Sequence, residues 1–130
     1  MNRMKIPYNQ DYTPPAPTVE IWLAAPGESL AVGPIEAFID SGADVTLIPR
    51  QHLRPLHLKA LRRKTLRSQW GERRTVDVYI VEIGIGENLR LPWVEAVADE
   101  IGNELVLGRS ALNKIRVLLD GPRESVEISA

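Results

Sequence analysis

From Thr18 onward the apolar residues fall in strand-length runs separated by Gly, Pro and Asp, a rhythm that predicts a β-rich fold. "TVEIWLAA" alternates apolar and polar residues up to the turn signal "PGES". "PIEAFID" predicts a second strand, and "DVTLIP" a third that Pro49 ends. "TLRSQWGERRTVDVYIVEIGIG" predicts a long hairpin turning near Gly71, with Val76, Val78 and Ile80 alternating on its second arm. "NLRLPWVEAVAD" and "ELVL" add two strands. "RVLLDGPRESVEIS" closes the chain as two more around an Asp-Gly-Pro turn, which accounts for Asp120 and Gly121. "RQHLRPLHLKAL" predicts a short helical turn before Pro55. "RSALNKI" predicts one short helix near 109–116, with Ser110 available as its cap. The fold class is therefore all-β with one short helix.

A chain of 130 residues with three Trp, three Tyr and one Phe must build its core from Val, Ile, Leu and Ala. That suits a single β domain which gains further burial by self-association. Residues 1–17 hold four prolines and predict an extended or disordered arm, leaving 18–130 as the domain. A net charge of −1 favours neither a nucleic-acid binder nor a membrane-surface protein. With no cysteine, disulfides and Cys-based zinc sites are excluded. The first residues contain no apolar leader segment, and no run approaches the roughly 18 apolar residues of a membrane span. The expectation is a cytoplasmic protein.

Residues 19–40 and 81–99 echo one another. Each opens Val-Glu-Ile, passes a Gly/Glu turn, then runs from Pro through Glu-Ala to Asp. The echo reads equally as two similar amphipathic hairpins and as two related units about a pseudo-twofold. No Ser-Gly turn follows Asp99, so it is not read as a second catalytic acid.

"AFIDSGADVTLIP" sets Asp40 at the end of an apolar strand, where a carboxylate is costly unless something uses or pairs it. Gly42 lets the backbone turn tightly and approach a substrate or partner loop. Ser41 offers a hydroxyl that can bond across to a matching loop. Thr46 is placed to tie the loop to its own backbone.

"IDSGADVTLIP" and "ELVLGRSALNKI" together resemble the retropepsin family of aspartic proteases (the retroviral type, clan AA), including its bacterial single-lobe members. The resemblance spans roughly residues 18–128 and implies a closed acid-protease β-barrel lobe that works as a homodimer. It implies Asp40 as the catalytic acid, with Ser41, Gly42 and Ala43 in the active-site loop and Gly108 packed against that loop. It also implies a buried ion pair between Asp44 and Arg109. A flap is implied over the substrate, and the 65–81 hairpin with Trp70 and Gly71 near its tip is the matching segment. Trp70 reads equally as an aromatic that covers substrate and as a packing residue. Ser110 departs from the Asp or Asn that often follows Gly-Arg, a change expected to act on local capping.

One Asp-Ser-Gly per chain is half an active site, and a twofold homodimer supplies the other half. The strands around 18–23 and 124–129 are the expected dimer sheet. The expected substrate is a peptide or protein, with no cofactor, no metal, no nucleic acid and no membrane among the partners.

Nine of sixteen basic residues (Arg50, Arg54, Lys59, Arg62, Arg63, Lys64, Arg67, Arg73 and Arg74) lie where only Glu72 opposes them. They read first as a solvated face, and second as a surface that steers acidic substrates or as a nucleic-acid patch without stacking aromatics beyond Trp70. His52 and His57, five apart, do not share a helical face for a metal. No Gly-x-Ser-x-Gly elbow makes Ser41 a nucleophile. Two rivals to an endopeptidase remain: a catalytically silent dimer that binds peptides, and a monomeric structural domain using its basic face.

Overall fold

Ten strands, two one-turn α-helices and a 3-10 turn (Arg54–Leu56) make up the computed structural model, which describes residues 3–68 and 70–130. The strands are β1 (Arg3–Pro7), β2 (Thr18–Ala24), β3 (Val32–Ile39), β4 (Thr46–Pro49), β5 (Arg62–Arg67), β6 (Arg73–Ile85), β7 (Leu89–Asp99), β8 (Leu105–Leu107), β9 (Arg116–Asp120) and β10 (Ser125–Ser129). The helices are α1 (Arg50–Leu53) and α2 (Arg109–Leu112). Met1 and Asn2 of the expected arm, and Gln69 of the hairpin, lie outside the described residues. No described helix is long and apolar enough to cross a membrane.

Six strands close a barrel in the order β2-β3-β8-β4-β7-β6, with β6 returning antiparallel to β2 through Ile21↔Ile85 and Leu23↔Ile83. β5 continues past β6 as the outer arm of the hairpin. Closure pairs the Ile21–Ala24 half of β2 on its second edge, the general remedy for exposed strand edges. The inward positions are aliphatic: Ile21, Leu23, Ile48, Ile83, Ile85 and Val94 are all fully buried. Each such side chain contributes about 1.5–3 kcal/mol on leaving water. Trp70 and Trp93 lie on the outside, as an aliphatic core leaves them free to do.

The echoed segments occupy equivalent places. β2, β3 and β4 followed by α1 match β6, β7 and β8 followed by α2. β3 pairs parallel with β8, and β4 pairs parallel with β7. β2 with β6 and β4 with β8 are the antiparallel pairs between the halves. That exchange of like for like is the pairing a pseudo-twofold requires. The matching strands β3 and β7 lead to Asp40, one residue past β3, and to Asp99, the last residue of β7.

Part of the proline-rich segment is ordered. β1 pairs with β10 over Arg3↔Ser129 to Pro7↔Ser125, and β10 pairs on its other side with β9. This corrects one half of the expected dimer sheet. β10 is hydrogen-bonded along both edges within one chain, so it cannot accept a partner strand, whereas β2 is paired with β6 only over Ile21–Ala24. The helix expected over 109–116 is one turn long. Asn113 ends it, with its N–H on the Arg109 carbonyl, and β9 begins at Arg116.

Candidate active site

Asp40 stands one residue past β3, a strand held between β2 and β8. Its N–H donates to the Leu107 carbonyl (3.1 Å), and its own carbonyl accepts the Ala43 N–H (3.2 Å). Oδ1 accepts the Gly42 N–H at 2.9 Å. A Cβ at Gly42 would stand 3.1 Å from that oxygen, so a side chain there would press on the carboxylate. Among the described residues no donor reaches Oδ2, and Asp40 is exposed. The burial cost expected of a strand-end carboxylate is therefore not incurred by one chain alone.

The loop is fastened from below by a relay of hydroxyls. The Ser110 hydroxyl donates to the Glu95 carbonyl at 2.9 Å, which uses its only proton. The 2.9 Å contact between the Thr46 and Ser110 hydroxyls must then run from Thr46 to Ser110. Ser110 Oγ also accepts the Thr46 N–H (3.1 Å), and Thr46 Oγ1 accepts the Gly108 N–H (3.2 Å). Every donor has one acceptor, and the chain runs in one direction from Gly108 to β7. Thr46 is fully buried, so each of these bonds replaces water that has been excluded.

Two expectations change here. Thr46 ties the loop to Gly108 and to Ser110 of α2 rather than to its own backbone. Ser110 does not cap α2: Gly108 occupies the cap position without a side-chain bond, and the Ser110 hydroxyl reaches across to β4 and β7. The spacing of Thr46 and Ser110 carries no sign of this contact, which arises only because β4 lies between β7 and β8.

Gly108 has no room for a side chain. A Cβ would overlap the Val45 carbonyl and stand 2.8 Å from the Ala43 carbonyl oxygen. Arg109 donates its backbone N–H to the Ala43 carbonyl (2.8 Å) and a guanidinium N–H to the Ser41 carbonyl (2.9 Å). The buried pair with Asp44 is absent: both side chains are exposed and form no salt bridge with each other. A carbonyl turned outward by the Ser-Gly turn gives the guanidinium a neutral acceptor. The pseudo-symmetric Arg50 does pair, with Glu100 at 2.5 Å, beside Asp99. Asp99 caps its own turn by accepting the N–H groups of Ile101 and Gly102.

The β5–β6 hairpin ends in a turn where Ser68 Oγ accepts the N–H groups of Trp70 and Glu72. Gly71 has φ +85°, a conformation that favours glycine. Trp70 is 82% exposed, so within one chain it is not a packing residue. Between the hairpin and the β4–β7 floor lies a cleft of about 480 Å³ with Leu47, Leu66, Val76 and Val97 in its wall. Arg50, Arg63, Arg74, Asp77, Asp99 and Glu100 also line it, whereas Asp40 does not. One chain thus brings together Asp40, Ser41, Gly42, Ala43, Thr46, Gly108 and Arg109, and leaves Trp70 and Gly71 on a separate projection.

The family model for the gag-polyprotein putative aspartyl protease matches residues 31–114, which include both the Asp40 loop and Gly108–Arg109. Among solved structures the fold is similar to a retropepsin-like aspartic protease from Rickettsia conorii. That match has a TM-score of 0.68 at 13% identity and covers 98% of this chain and 90% of the other. It is also similar to the Simian Foamy Virus (mac) protease, with a TM-score of 0.52 at 18% identity over 74% of this chain and 91% of that one. No curated protein matches in sequence.

Proposed function

The chain belongs to the gag-polyprotein putative aspartyl protease family, and on that footing we propose that it is an endopeptidase whose active site forms between two copies. Each copy contributes Asp40. Two carboxylates brought together cannot both ionise cheaply, so one proton is shared between them. The ionised member accepts a proton from a water held between them, and that water attacks the scissile carbonyl carbon. The protonated member donates a hydrogen bond to the carbonyl oxygen, and the dyad then returns a proton to the leaving nitrogen. This chemistry calls for neither a metal nor a covalent intermediate.

The substrate is an extended peptide laid as an added strand between the hairpin and the barrel floor. Trp70, exposed on the tip, is the side chain that covers it, and closure of the hairpin excludes water.

The observation that carries this reading is the state of the Asp40 carboxylate. It stands on a rigid strand end with one oxygen held by the Gly42 N–H and the other open. A diverse peptide mixture incubated with wild type and with Asp40→Asn, and read by mass spectrometry, tests it. New termini appear with the wild type and are absent with the variant. Equal cleavage by both refutes the assignment, and binding without cleavage by the wild type turns the reading to the silent peptide-binding dimer.

A further inference from the structure

We propose that two copies of this chain join along the outer edge of β9, antiparallel about Leu118, so that two three-stranded sheets become one of six. The inference rests on the dimeric reading above and names the surface that makes the dimer.

Three strands have only one neighbouring strand among the described residues, and so a whole edge unpaired: β1, β5 and β9. An unpaired edge is a template for another strand, and its side chains decide which partner it tolerates. β5 reads Arg-Arg-Lys-Thr-Leu-Arg, so antiparallel pairing with a copy of itself sets Arg62 opposite Arg67. β1 reads Arg-Met-Lys-Ile-Pro, which sets Lys5 opposite Lys5 and ends in a proline without an N–H. Both edges repel their own copies.

β9 reads Arg-Val-Leu-Leu-Asp and is complementary to itself. Pairing about Leu118 places Leu118 against Leu118, Val117 against Leu119, and Arg116 against the partner's Asp120 on both sides of the axis. A slip of one residue loses both ion pairs, so the register is specified. Leu118 and Leu119 are 54% and 46% exposed in the single chain, on a strand edge no described element covers. Asp120 accepts the Arg123 N–H through Oδ1, and Arg123 Nε lies 3.9 Å from Oδ2. That loose contact leaves Oδ2 open to the partner's Arg116.

The edge is also tied to the half-site. β9 follows α2 after Asn113–Ile115, and α2 begins at the Arg109 that holds the Ser41 and Ala43 carbonyls.

Sedimentation equilibrium on the full chain tests the proposal with Arg116→Asp, Asp120→Arg, the double exchange, and Leu118→Lys, each checked for folding by thermal melting. The wild type dimerises. Each single charge variant sets like charges opposite twice and weakens the dimer about tenfold or more. Leu118→Lys, at an exposed position away from the Asp120 turn, does the same, and the double exchange restores wild-type affinity. A dimer indifferent to all four variants, or a double exchange as weak as the singles, overturns the β9 interface and leaves the endopeptidase reading standing. A wild type that stays monomeric at every concentration overturns both.

Discussion

At Gly108 and Ser110 single atoms decide whether the Asp40 loop holds its shape. Gly108→Ala forces a methyl group onto the Val45 carbonyl, with backbone on the far side and nothing flexible to yield. It should cost about 3 kcal/mol, the top of the overpacking range, measured by urea unfolding. Ser110→Ala leaves the buried Thr46 N–H and hydroxyl without their acceptor, and should cost about 1–3 kcal/mol by the same assay. If Ser110 served only as a helix cap on α2, the loss would track helix fraying and leave the Asp40 loop untouched. The tight turn at Asp40–Gly42 was legible because a glycine two residues after a strand-end acid marks a place where the backbone must turn sharply. The packing of Gly108 against that loop followed only from the family resemblance. The Arg109 partner was not legible, because spacing along the chain cannot say whether a guanidinium meets a carboxylate or a nearer carbonyl.

Elements were legible to the extent that they depend on local pattern. Alternation located most of the barrel strands and the hairpin, since each side chain's face follows from its parity. The parallel pairings β3–β8 and β4–β7 were not, since they depend on chain crossovers with no local signature. α2 is shorter than its residues predict because β9 must start at Arg116 to reach β10. At the hairpin tip, Gly71→Ala should cost about 1 kcal/mol through its positive φ. Trp70→Ala should leave the melting temperature unchanged and raise KM, because the ring stands exposed on the hairpin tip. An unchanged KM would remove Trp70 from substrate covering.

α1 adds a pH dependence of its own. Burial holds the His52 imidazole below its ordinary value, so the folded chain favours the neutral ring. As pH falls through about 6.5, the unfolded chain takes up a proton first. Stability therefore drops below that pH, and the drop ends once the folded ring is protonated too. His52→Gln should flatten the melting temperature between neutral and mildly acidic pH, and an unaltered profile would assign the effect to other groups.

The whole molecule has a twofold habit at two levels: a pseudo-twofold inside the barrel, and a true one proposed between chains. The inner one could be read from the 19–40 and 81–99 echo once strand pairing was known. The outer one could not be placed from sequence, because the free edges depend on which strands the barrel and the β1-β10-β9 sheet have already used. Mixing wild type with increasing amounts of Asp40→Asn chain, at fixed total concentration, reads the number of acids per site. If each working site takes one acid from each of two chains, peptidase activity follows the square of the wild-type fraction. Activity that falls only in proportion to that fraction means a single chain suffices, and contradicts the shared site.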